Sequence, residues 1–293
     1  MRIGAAATLL LALAAPAAGE PVTVADALGR QVTLERPPQR LVTIFASNTE
    51  LAAAVGLADR IVGIESFTRF PPEVVGRPQV GGRLGFSVDR VVRQRPDLVV
   101  VTPARQAVHQ LVDPMERLGI PIIVVTHRSV DEVFANIRLV ARAAGVEARG
   151  DAVAGTLQAR LDAVTRRLTG RERPRVVMIT GRVATGLMLI ARPGSYTADA
   201  MVAAGARLAF DQPQMLPQVS PEAILRSDPD IVLFAGSETD RRELFSRPGW
   251  QHLRALRENR VLTVSRAEFL IPGPRVVDGI EKLAAVLHPD APR

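Results

Sequence analysis

Hydrophobic residues in this chain fall into two alternating kinds of segment. Short, almost wholly apolar runs, LVTIFA (41–46), RIVGIE (60–65), LVVVT (98–102) and PIIVVT (121–126), are separated by stretches with helical spacing such as NTELAAAVG (48–56) and VDRVVRQR (88–95). A strand with one wet face alternates apolar and polar residues, so an unbroken β-branched run predicts a parallel strand covered on both faces. Strand and helix in alternation give an α/β lobe. The pattern restarts with VVMIT (176–180), LMLIA (187–191), IVLFA (231–235) and VLTVS (261–265), and closes on a helix around VVDGIEKLAAVLHP. Ahead of the first lobe, VTVADALGRQVTLERPPQR reads as a short hairpin stopped by Pro37 and Pro38.

Between the two lobes the spacing turns helical for a long stretch. Ser129 and Glu132 form a capping-box pattern before VFANIRLVARAAG, and DAVAGTLQARLDAVTRRL (151–168) continues it, punctuated by Gly145 and Gly150. The expectation is a nearly uninterrupted helix over 129–170, joining an N-terminal lobe (20–128) to a C-terminal lobe (171–293).

The two lobes share wording. FSVDRVVRQRPDLVVV (86–101) aligns without a gap on VSPEAILRSDPDIVLF (219–234): Ser87 with Ser220, Asp89 with Glu222, Arg93 with Arg226, Pro96-Asp97 with Pro229-Asp230. Each copy predicts a Ser-capped helix with an acid at its positive end, a Pro-Asp turn and a core strand. Two like-built, Rossmann-like lobes leave crevices at the carboxyl edges of their sheets and enclose a cleft between them.

Composition sets the address and removes several chemistries. The opening MRIGAAATLLLALAAPAAGEP has one positive charge, an apolar run too short to span a bilayer and small residues after it, which reads as a secretory signal peptide over 1–19. No cysteine is present, which excludes disulfides, thiolate metal sites, a cysteine nucleophile and a lipid-bearing cysteine. The expectation is a free protein of the periplasm. The net charge of +7 comes from arginines spread among acids, with Lys282 the only lysine among 37 basic residues. Nine Phe, one Trp and one Tyr do not interleave with a basic stripe, so nucleic acid is not the expected partner, and a positive cleft drawing in anionic ligands is.

His109, His127, His252 and His288 form no close ligand pair, and no nucleophile elbow, Walker loop or Gly-rich dinucleotide turn is present. A bare metal ion would want converging His and carboxylate ligands, whereas the strand ends here offer mostly Arg and Phe. The reading is a binder that leaves its cargo unaltered. A chelatase-like enzyme, for which His127 is the residue to watch, is the minor alternative.

Five stretches, RPPQRLVTIFASNTELAAAVGLADRIVGI, FPPEVVGRPQVGG, RPDLVVV, LPQVSPEAIL and PGPRVVDGIEKLAAVLHP, taken in this order, resemble the periplasmic binding proteins of ABC importers for iron chelates and vitamin B12. The likeness runs from about Val22 to Pro289. It implies a class III binding-protein fold with two α/β lobes bridged by a single long backbone helix. It further implies a monomer with no intrinsic cofactor, a metal chelate held in the cleft, and an acid on each lobe that docks into the inner-membrane permease. LPQVSPE resembles the cobalamin-binding segment that carries the C-lobe docking acid, which places that role on Glu222. The matching N-lobe position is Pro78, a departure, so Glu73 or Asp89 is left for the role.

The same resemblance ranks ligands. Heme-binding relatives carry an iron-ligating tyrosine where this chain has Gly82, and its only tyrosine is Tyr196 in ARPGSYT. Arg83 falls where hydroxamate-siderophore binders have a ligand-contacting arginine, and Arg105 replaces their contacting tyrosine. A guanidinium fork suits hydroxamate, catecholate or carboxylate oxygens. Cobalamin binders offer aromatic faces to the corrin ring; Phe67, Phe70, Phe86, Tyr196 and Phe269 are the supply here, while Trp250 reads as packing at a helix start. The expected ligand contacts are Arg83, Arg105, Phe86, Tyr196 and Phe269. A ferric-siderophore-like chelate ranks first, a corrinoid second and heme third.

Overall fold

The computed structural model describes residues 20–82, 85–102, 108–212 and 216–291. Residues 1–19, the expected signal segment, lie outside the described residues, as do Arg83 and Arg105. An antiparallel hairpin opens the described chain, β1 (Val22–Ala25) on β2 (Gln31–Leu34). The N-terminal lobe continues with β3 (Leu41–Ile44), α1 (Ala46–Ala54), β4 (Ile61–Ile64), the two-residue strands β5 (Gly81–Gly82) and β6 (Gly85–Phe86), α2 (Val88–Arg93), β7 (Leu98–Val101), α3 (Val108–Arg117) and β8 (Ile122–Val124). Among the described residues its sheet is parallel with order β4-β3-β7-β8. Every residue of β3, β7 and β8 is buried, as their unbroken apolar runs require when helices cover both faces.

The expected single helix over 129–170 is two helices. α4 (Val130–Ala143) ends at a turn, and α5 (Glu147–Arg167) starts after three intervening residues. The cause is a left-handed stop: Gly145 has φ +71°, its N–H donates to the Arg142 carbonyl at 3.1 Å and the Val146 N–H to the Ala141 carbonyl at 2.8 Å. Those two bonds are the Schellman pair that caps a helix C-terminus. The helices then pack so tightly that a Cβ on Gly150 would lie 2.4 Å from the Ala141 methyl. The linking rod is α5 alone, 21 residues or about 30 Å long at 1.5 Å per residue.

The second lobe holds β9 (Arg175–Arg182), β10 (Met188–Ile190), α6 (Tyr196–Ala203), β11 (Arg207–Leu208), β12 (Gln218–Val219), α7 (Pro221–Ser227), β13 (Ile231–Ala235), α8 (Glu238–Phe245), α9 (Arg254–Arg257), β14 (Val261–Val264), α10 (Arg266–Phe269) and α11 (Val276–Leu287). The sheet order is β12-β10-β9-β13-β14, with β11 beside the start of β9. β9, β13, β14 and β11 are mutually parallel, but β10, the LMLIA run, is antiparallel to β9. Residues 183–187 fold it straight back, with Gly186 at φ +87° and the Val183 N–H on the Leu187 carbonyl at 3.0 Å. Arg160 of α5 reaches both Asp278 (2.6 Å) and Glu281 (2.7 Å) of α11, which fastens the rod to this lobe.

Candidate functional site

Strand order locates the site before any side chain is considered. In the first lobe the chain moves from β3 outward to β4, then crosses to β7 and β8 on the other side, so the order reverses between β3 and β7. In the second it reverses between β9, flanked by β11, and β13, followed by β14. Crevices open outside the carboxyl ends of the two strands at such a reversal. At β3 that end is Phe45, whose φ of +92° is unusual for a bulky residue and marks a backbone forced into shape by its surroundings.

A polar network laces the N-lobe strand ends together. Asn48 donates from Nδ2 to the Ile44 carbonyl (2.7 Å) and to Thr102 Oγ1 (3.1 Å), joining the ends of β3 and β7. Its Oδ1 is 3.2 Å from His127 Nε2, which also lies 3.2 Å from Ser47 Oγ. Asn136 of α4 donates to the Thr126 carbonyl (2.7 Å) and faces His127 Nδ1 at 3.2 Å. An amide N–H on Nδ1 makes that nitrogen the acceptor, so the proton sits on Nε2 and the ring is neutral. Burial lowers the His127 pKa to about 4, and the Glu132 carboxylate opposes this only weakly.

On the opposite lobe a cation lies across the reversal. Arg266, at the start of α10, donates from one Nη1 to the Thr180 carbonyl of β9 (2.9 Å) and to the Ala235 carbonyl that ends β13 (3.0 Å). Its residue is exposed, so the rest of the fork faces outward. The carboxyl edges of the two sheets look toward one boundary, because the elements that follow them touch. Glu50 of α1, directly after β3, pairs with Arg275 in the segment after α10. Asp199 of α6 accepts the Val130 N–H at the start of α4 at 2.7 Å.

Residues 41–267 match the family model described as periplasmic binding protein. The chain belongs to this family. It is 27% identical over 284 residues to an uncharacterized ABC transporter substrate-binding lipoprotein of Bacillus subtilis, covering 92% of this chain and 86% of the relative. It is 29% identical over 198 residues to the vitamin B12-binding protein of Salmonella choleraesuis, covering 67% and 72%. A solved periplasmic heme-binding protein of Pseudomonas aeruginosa superposes with a TM-score of 0.74 at 25% identity, over 87% of this chain and 94% of that one.

Against this binding-protein frame the expected contact residues divide. Arg83 and Arg105 lie outside the described residues. Phe86 is half-buried and packs on the cluster around Val42, Val80 and Val91. Tyr196 and Phe269 need correction as ligand contacts. Tyr196 is 5% exposed and its hydroxyl donates to the Glu268 and Ile271 carbonyls, both at 3.2 Å. Phe269 is 2% exposed, with its ring against Gly279. Both are turned inward to hold α6 against the α10–α11 connection, a direction that residue type alone does not reveal.

Phe67 supplies the open aromatic face: it is 59% exposed, and its ring crosses Gly82 so closely that a Cβ there would sit 2.9 Å from it. Trp250 is packed edge-on to Phe245 at 5.0 Å, as expected for a core residue. Glu222 and Asp89 occupy matching exposed positions in the first turns of α7 and α2, and Glu73 is exposed on the short turn 72–74. The Ser220 hydroxyl, then the backbone N–H of Glu222 itself, hold the Glu222 carboxyl below the ordinary range. Among the described residues, no group of three or more His, Asp or Glu converges as a metal site. Arg266 is the residue that sequence reading passed over; nothing marks one arginine among so many until the strands it bridges are known.

Proposed function

We propose that this protein is the substrate-binding component of an ABC importer, exported to the periplasm by its N-terminal segment. In this reading it captures an anionic metal chelate between its lobes and hands it to an inner-membrane permease. The observation that carries the reading is the placement of an arginine across the C-lobe strand-order reversal. Arg266 spans β9 and β13 through the Thr180 and Ala235 carbonyls. A guanidinium presents several donors in a fixed fork, which suits chelating oxygens, and each charge-assisted bond contributes roughly 1.5–3 kcal/mol. A ferric-siderophore-like chelate is the ligand class we favour.

A corrinoid is the second reading, supported by the Salmonella vitamin B12-binding relative and by the open ring of Phe67. Heme stands third. Tyr196, enclosed and bonded to two carbonyls, is unsuited to ligating iron. Glu222 and, on the N lobe, Asp89 or Glu73 are the acids we assign to permease docking. Isothermal titration with a ferric tris-catecholate, cyanocobalamin and hemin separates the three: the proposal expects the first to bind at micromolar affinity or better. Failure of all three to bind refutes it.

A further inference from the structure

The lobes meet through an enclosed ion pair whose members lie 225 positions apart. Arg275 donates from Nε to Glu50 Oε2 at 3.0 Å and from Nη2 to Oε1 at 2.5 Å, a two-bond fork. The Glu50 side chain is 2% exposed and that of Arg275 25%. The guanidinium carbon lies 4.3 Å above the Phe70 ring, so a second N-lobe segment fixes its other face. Gly273 is bare because a Cβ there would come within 2.8 Å of Glu50 Oε2; flanked by Pro272 and Pro274, it presses a stiff stretch of C-lobe backbone onto the carboxylate.

Global stability is not what this pair supplies. Burial pushes the Glu50 carboxyl up in spite of the arginine beside it, while that carboxylate raises the Arg275 guanidinium, so the cost on one partner offsets the gain on the other and the pair adds little net stability. What a two-point fork does supply is orientation, since two parallel bonds fix an angle that one bond leaves free. The members sit where that angle matters. Glu50 is in the helix that leaves β3 at the N-lobe reversal, and Arg275 is in the segment leaving the helix that starts with Arg266.

We propose that Glu50 and Arg275 are positioning residues, a latch that sets the angle between the lobes and hence the width of the cleft. The latch operates without ligand, so its test is independent of which chelate is bound. The sequence has no cysteine, so Arg93→Cys and Arg226→Cys, exposed and equivalent on α2 and α7, place one spin label on each lobe. Double electron–electron resonance on the ligand-free protein then reads the interlobe distance. Glu50→Gln and Arg275→Gln are each expected to broaden the distribution or shift it by several ångströms; Glu50→Gln removes the buried charge with little change in melting temperature, whereas Arg275→Gln leaves the carboxylate unpaired and lowers that temperature. An unchanged distribution in folded variants overturns the latch. If Glu50→Gln does not fold, Arg275→Gln, altered at the more exposed partner, decides the matter alone.

Discussion

Asp97 and Asp230, 133 positions apart, make the same clamp. Asp97 accepts the Arg40 N–H at 2.7 Å and returns its own N–H to the Arg40 carbonyl at 3.0 Å; Asp230 does the same with Arg175, at 2.7 and 2.8 Å. Two residues before each Asp the backbone is left-handed, φ +48° at Arg95 and +40° at Asp228, and Ser87 and Ser220 cap the preceding helices at the same 3.2 Å. The clamps join β3 to β7 and β9 to β13, the strand pairs that flank the two reversals. The sequence repeat is therefore a repeat of the strand pairing at the two reversals, clamped at its amino end.

Asp97→Ala and Asp230→Ala are each expected to lower stability by about 2 kcal/mol, the scale of a backbone hydrogen bond to a charged acceptor. Because they lie in different lobes their effects add. Urea midpoints of the singles and the double variant check this.

His127 makes stability depend on pH. Its folded-state pKa of about 4 lies below the ordinary 6.5, so in that window the unfolded chain takes up a proton that the folded protein refuses. Stability from this group is complete above pH 6.5 and is lost as pH falls toward 4, by at most about 3 kcal/mol. His127→Gln is expected to flatten that slope in melting temperatures measured from pH 4 to 8.

Glu222→Ala is expected to leave ligand affinity unchanged and to slow uptake in cells, because the side chain is exposed in the first turn of α7. Titration of the purified variant beside a transport assay separates the roles. Lost affinity with intact transport contradicts the docking assignment.

Arg83→Ala and Arg266→Ala are each expected to weaken binding of a ferric tris-catecholate at least tenfold, about 1.4 kcal/mol. Titration calorimetry reads both, and indifference to both removes arginine from the recognition scheme.

Much of the fold was legible because burial on both faces leaves unbroken apolar runs, and because Ser87, Ser129 and Ser220 cap helices as their spacing implies. What escaped depends on contacts distant in sequence. The break at Gly145 was visible as a glycine, but its two capping bonds were not. The inward turn of Tyr196 and Phe269 follows from the packing of α6 on α10, which a count of aromatics does not encode. The Glu50–Arg275 fork joins residues from opposite ends of the chain, and neither sits in a motif that singles it out.

Native mass spectrometry of the protein purified from its own host tests the central claim most directly. Capture of an unaltered chelate predicts a population heavier by several hundred daltons whose isotope pattern shows a metal, released on denaturation. A uniformly empty protein that also fails to take up ferric tris-catecholate, cyanocobalamin or hemin contradicts it.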